Sequence, residues 1–115
     1  MGQWTQARLL AFKKEWYGGR LDNEGPACYE LGTGGPRGGN LSWHYVGHTS
    51  NEKARMSSYG RNGSHLAEII TYHLNRGWHL YYRAWAFDTK AEAEKMERSM
   101  LARHEYDWND KLNRR

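Results

Sequence analysis

Cysteine is nearly missing from this chain. Cys28 is the single one, so no internal disulfide can form, and such usage points to a reducing compartment. No run of about 18 apolar residues exists, which excludes a transmembrane helix. The opening stretch MGQWTQARLL lacks the apolar core and small-residue cleavage site of a secretory signal, so the expected location is cytoplasmic. Proline and phenylalanine occur twice each, and there is neither an internal repeat nor a long low-complexity tract. With 38% hydrophobic and 26% charged residues, the composition is neither that of a membrane protein nor that of a disordered charged tail. A length of 115 residues fits one domain, with one modest core.

What the chain does have is basic charge and amphipathic aromatics. Seventeen Lys and Arg stand against 13 Asp and Glu, a net charge of +4. A small basic domain favours a polyanionic partner. Six Trp and eight Tyr combine flat apolar bodies with polar tips, which serve cores, interfaces and base stacking alike. Composition permits nucleic-acid binding but does not choose an activity.

Patterning predicts the element order α-β-β-α-α-β-α, a small α/β fold with a three-stranded, mixed or antiparallel sheet flanked by helices. Trp4 to Trp16 carries Trp4, Ala7, Leu10 and Ala11 at helical spacing, and Gly18-Gly19 would end this extra N-terminal helix within residues 1–20. Ala27 to Leu31 and Ser42 to Gly47 form two strands of a hairpin, joined by the glycine-rich Gly32 to Asn40, expected to be a mobile loop. That loop lacks the Lys-Ser/Thr ending of a P-loop. Helices are expected from about Asn51 to Tyr59, from His65 to Asn75 with Gly77 behind it, and from Lys90 to about His104 behind a Thr89 cap. Trp78 to Phe87 is the strongest strand. Trp78, Tyr82 and Trp85 are expected to be core and sheet residues.

Several residues stand where chemistry is feasible. Tyr45 ends the second strand, Arg55 follows ten positions later on a helix, and Tyr59 lies one turn beyond Arg55. Glu97 shares a helix face with Ala93, Met100 and Leu101, an unusual place for a carboxylate. Asn109 follows Glu97 by twelve. An arginine, a glutamate and several tyrosines, without a Cys/His cluster, suit phosphodiester hydrolysis. A guanidinium can neutralise a pentacovalent phosphorus centre, and one carboxylate can hold Mg²⁺, which keeps several waters.

Here the chain resembles the GIY-YIG nuclease superfamily over residues 27–109. Ala27-Cys28-Tyr29 is similar to the GIY element, of which only the tyrosine stands, and Tyr45-Val46-Gly47 is similar to YIG. The stretch YVGHTSNEKARMSSY resembles the family's YIG strand, turn and arginine-bearing helix. AEAEKMERSML, with the asparagine of DWN, resembles its glutamate helix. The resemblance implies a catalytic core over 27–109 that cuts DNA, expected to be double-stranded, with one Mg²⁺ or Mn²⁺. Glu97 would hold the metal, Arg55 would contact the scissile phosphate and Tyr29 would act on the attacking water. Tyr45 and Tyr59 would line the site, and Asn109 would buttress the glutamate helix or the site wall. His48 stands where family members commonly have lysine. A free tyrosine has a pKa of about 10 and needs Arg55, His48 or the metal nearby to act as a base. The compact size fits a restriction-like, phage-encoded or repair-associated enzyme. A cut through both strands needs a homodimer or sequential nicking.

Other residues carry weaker expectations. His44 and His48, four apart on a strand, should share a face, but two ligands make a poor zinc site. His65 can approach the phosphate, while His73 falls on an apolar helix face as a packed histidine. Arg37, Arg61 and Lys111 are candidate DNA contacts, as are Arg8, Lys13, Lys14, Arg103, Arg114 and Arg115, each alone an ordinary solvated charge. Two rival functions remain at this level: a non-catalytic nucleic-acid-binding module with a nuclease-like fold, and a protein–protein adaptor using its tryptophans.

Overall fold

The computed structural model describes residues 3–12, 15–16, 23–60 and 65–109. The strands are β1 (Arg8–Phe12), β2 (Glu15–Trp16), β3 (Ala27–Gly34), β4 (Ser42–Thr49) and β5 (His79–Ala86). The helices are α1 (Glu52–Gly60), α2 (Ala67–Asn75) and α3 (Lys90–Arg103). The strands make one sheet in the order β2-β1-β5-β3-β4, antiparallel throughout.

The sheet thus has five strands, not three, and the expected N-terminal helix is instead the β1–β2 pair. The physical reason lies outside the segment. Without β1, strand β5 would present a bare row of N–H and C=O groups. Residues 8–12 pair with that edge and bury Leu10 and Ala11 in the core. Thr5 extends the contact, its N–H donating to the Ala84 carbonyl at 2.9 Å. Helix propensity differs by only tenths of a kcal/mol per residue and yields to such pairing. Lys13, Lys14 and Gly18-Gly19 lie outside the described residues.

Strand β3 runs between β5 and β4 and is buried along its whole length. Its alternation splits the core in two. Ala27, Tyr29 and Leu31 join Met56 and Tyr59 of α1, Ile70 of α2 and Tyr45 of β4 on one face. Cys28 joins Val46, Met100 of α3 and Tyr106 on the other. Tyr82 is fully buried, Trp85 is half-buried, and Trp78 stands exposed just before β5.

The glycine-rich stretch is not a free loop. β3 extends through Gly34, and Pro36–Gly38 form a single 3-10 turn. The Tyr81 hydroxyl clips this turn, donating to the Gly35 carbonyl at 2.7 Å and accepting from the Gly38 N–H at 2.9 Å. Helix ends follow the sequence signals. Gly77 closes α2 with its N–H on the Leu74 carbonyl, and Thr89 with Glu92 forms a capping box at the start of α3. Behind α3 the chain folds back so that residues 106–109 lie against β4.

Candidate active site

The tyrosine cluster begins with a close approach between strands. Tyr29 of β3 sits opposite Gly47 of β4. A Cβ on residue 47 would lie 2.6 Å from the Tyr29 hydroxyl and 2.8 Å from its Cζ, so only glycine lets the phenol lie across β4. This is the local reason for the third residue of Tyr45-Val46-Gly47. One turn of α1 then carries Arg55 and Tyr59 to the same place. The Tyr29 and Tyr59 hydroxyls meet at 2.7 Å, with ring centroids 5.8 Å apart. Tyr59 also shares side-chain hydrogen bonds with Arg55 and Tyr45. The Tyr45 hydroxyl faces His65 Nε2 at 3.4 Å. Tyr29 and Tyr59 are buried, Arg55 is half-buried and His65 is exposed, so the group forms a file from core to solvent.

Burial sets the protonation of this file. It pushes the Tyr29 pKa well above the ordinary tyrosine value, helped by the neighbouring phenols and opposed by the Arg55 charge. Tyr45 is raised by burial first, then by Tyr59 and by the charge of Glu97. Tyr59 is raised by burial, although its hydrogen bonds to Tyr29 and Arg55 pull the other way. Desolvation, then Arg55, lowers the His65 pKa. At neutral pH the file therefore consists of neutral phenols, one permanent cation and a neutral imidazole.

The carboxylate comes from the opposite face of the sheet. Glu97 on α3 accepts from His48 Nδ1 of β4 at 2.5 Å, both side chains being about one-fifth exposed (19% and 23%). A carboxylate only accepts, so Nδ1 carries the hydrogen. Glu97 still acts on Tyr45 through its charge, because both stand at the β4 edge. Among the described residues no group of three or more His, Cys, Asp or Glu is assembled, so a zinc-type cage is not built. A lone carboxylate does suit Mg²⁺, which takes few protein ligands and keeps its waters.

Asn109 does not face the phenols. Its Oδ1 accepts from the Val46 N–H at 2.9 Å and its Nδ2 donates to the Val46 carbonyl at 3.0 Å. The side chain thereby imitates a neighbouring strand and caps the open edge of β4 between Tyr45 and Gly47. The structure brings Tyr29, Tyr45, Arg55, Tyr59 and His65 together and sets His48 with Glu97 beside them. Arg37 is exposed on the 3-10 turn, at the far end of β3 from Tyr29. Arg61, Lys111, Arg114 and Arg115 lie outside the described residues.

Two features escape a reading of the sequence alone. His44 and His48 do not share a face, because a bulge falls between them: Leu31 pairs with Tyr45 and Gly32 with Trp43, leaving His44 as the extra residue. The second feature is a buried polar knot under α3. Glu30 pairs with Arg83 Nε, its register partner on β5, and accepts from the Tyr106 hydroxyl. Arg83 also stacks between Trp4 and Trp43, at 4.7 and 4.9 Å from their centroids. A glutamate inside the apolar ACYEL and an arginine inside WHLYYRAWAF were its only signals.

The antiparallel sheet and its flanking helices define a small α/β domain. The chain belongs to the GIY-YIG family: the family model described as GIY-YIG domain-containing protein matches residues 22–115. No curated protein and no solved structure matches the chain. The family implies a nucleic-acid substrate. No helix among the described residues is long and apolar enough to cross a membrane.

Proposed function

We propose that this protein is an endonuclease that hydrolyses phosphodiester bonds in double-stranded DNA with one Mg²⁺ or Mn²⁺. The observation that supports this most is the convergence of Arg55 with three phenols at the β4 edge, beside the charge of Glu97. Arg55 offers planar donors to the equatorial oxygens of a phosphate under attack. Glu97 is the residue that would hold the metal, which when bound lowers the pKa of water and neutralises charge on the leaving oxygen.

Tyr29 acts on the attacking water as a neutral phenol, since burial opposes a standing tyrosinate. A hydroxyl that accepts one proton can release another. The Tyr29–Tyr59–Tyr45 file leads such a proton outward to His65, whose neutral Nε2 faces Tyr45. Tyr45 and Tyr59 line the site, His48 orients Glu97, and Asn109 holds the strand that carries Tyr45. Arg37, exposed on its turn, would contact a flanking phosphate, and the sequence offers Arg61 and Lys111 for the same role. Cleavage of both strands would pair two copies or nick sequentially.

Supercoiled plasmid incubated with the protein in Mg²⁺, Mn²⁺ or EDTA tests the reading. The expected result is nicking with either metal and none with chelator. DNA binding without nicking in any metal would instead support the non-catalytic binding module, which the engagement of Glu97 by His48 favours.

A further inference from the structure

Tyr45 owes its direction to an irregularity in its own strand. In an unbroken strand, Trp43 and Tyr45 would point to the same face. They do not: Tyr45 packs with Tyr29 and Tyr59, while Trp43 packs with the α3-side cluster. The extra residue His44 causes this change of face. Gly32 admits the bulge, since a Cβ there would lie 2.3 Å from the Ser42 carbonyl oxygen and 2.8 Å from the Trp43 ring.

The bulged side chain is fastened on three sides. His44 Nδ1 donates to Asp107 Oδ1 at 2.8 Å. The other ring nitrogen, Nε2, meets the Thr33 hydroxyl at 2.9 Å. The imidazole stacks on Trp108, with centroids 4.9 Å apart and planes 13° from parallel. Two residues beyond the bulge, Asn109 grips Val46. Tyr45 therefore stands between two attachment points made by one short piece of chain, residues 107–109. Bulges re-aim side chains, and a rigid outer shell holds the re-aimed group in place.

We propose that His44, clamped by Thr33, Asp107 and Trp108, is a positioning residue that aims Tyr45 into the site. It rests on the nuclease reading only insofar as Tyr45 takes part in cleavage. His44 touches neither substrate nor metal ligand and works through Tyr45 alone.

A double-mutant cycle tests this. His44→Phe keeps a flat ring for Trp108 and removes both hydrogen bonds. It should lower kcat about 10- to 100-fold, the scale of a small misplacement, with KM changed by no more than about twofold. In a Tyr45→Phe background the same change should cost no more than about twofold, because coupled residues are not additive. Asp107→Asn, at a side chain 62% exposed, loosens the same clamp without entering the core and covers the case in which His44→Phe fails to fold. An arm without activity follows the Tyr45 ring resonances by NMR, with Tyr81, held at the Pro36–Gly38 turn, as internal control. They should move in His44→Phe and Asp107→Asn while those of Tyr81 stay. Additive losses, or Tyr45 resonances that do not move, overturn the proposal. A wild-type protein that cuts nothing overturns the nuclease reading, and the NMR arm then decides the positioning role by itself.

Discussion

The two faces of the sheet handle buried polarity in opposite ways. Around Tyr29, on the α1–α2 face, the buried polar groups are hydroxyls: Tyr29, Tyr45 and Tyr59 bond to one another and to a single cation, Arg55, while the buried carboxylate of Glu52 lies apart at the start of α1, accepting from Asn23. On the α3 face they are carboxylates, each with its own partner: Glu30 with Arg83 and Tyr106, Glu97 with His48. A phenol can be buried neutral, because it loses only hydrogen bonds that a neighbour can restore. A buried carboxylate needs a counter-charge or strong donors. Arg55 thus stands among phenols on the hydroxyl face, while the carboxylate face supplies the acid whose charge reaches Tyr45. The two chemistries approach each other along β4, the edge strand, where the charge of Glu97 is felt at Tyr45.

The sharpest way to break this contrast is to remove its contribution to chemistry on each side. Glu97→Ala should abolish cleavage, a loss of about 10³-fold or more, while DNA binding measured by gel shift is largely spared. Full activity in this variant would discard the assignment. Arg55→Ala should cost about 10²- to 10³-fold in kcat, the scale of one preorganised donor. A smaller effect there than at other surface arginines would remove Arg55 from the site.

Stability distinguishes the faces next. Arg83→Met leaves Glu30, which is 2% exposed, without its guanidinium. Loss of one partner from a fully buried pair costs about 3–5 kcal/mol. Arg83 itself is 30% exposed, so we expect about 2–3 kcal/mol in urea denaturation. Tyr59→Phe on the other face leaves the Tyr29 hydroxyl short of a partner and should cost about 1–2 kcal/mol. Equal costs would mean that the faces do not differ as described.

The smallest expected effect is one of pH. Burial raises Tyr29, Tyr45 and Tyr59 above the ordinary value of 10.0. The unfolded chain therefore loses these protons first. Their contribution to stability is whole below pH 10 and fades as pH climbs toward the folded values. Absorbance of tyrosinate should lag behind that of free tyrosine until the protein unfolds, and Tyr59→Phe should shift the alkaline transition. Ionisation of Tyr29, Tyr45 or Tyr59 themselves in the folded protein at pH 10, read from their own ring resonances by NMR, would contradict the burial of the cluster.

The helices were legible because their signals are local. Thr89 with Glu92 starts α3 and Gly77 stops α2, and each works within a few residues of itself. The spacing of Tyr45, Arg55 and Tyr59 likewise converts into geometry through one strand, one turn and one helix. The N-terminal strands were not legible. Residues 4–16 hold a helical pattern, yet β5, some seventy positions later in the chain, offers them an unpaired edge. The bulge at His44 was hidden for a related reason. Alternation counts residues, and one extra residue inverts the count for everything before it.

The sequence by itself determined which groups this protein owns and how its helices begin and end, since capping and periodicity are short-range. It also determined that position 47 is a glycine, without saying why. Only the tertiary structure decided which face each strand residue occupies, that Asn109 bonds the backbone of Val46, and that the charge of Glu97 is felt at Tyr45. Those outcomes depend on pairing register and on contacts across tens of residues, and no local stretch of sequence carries that information.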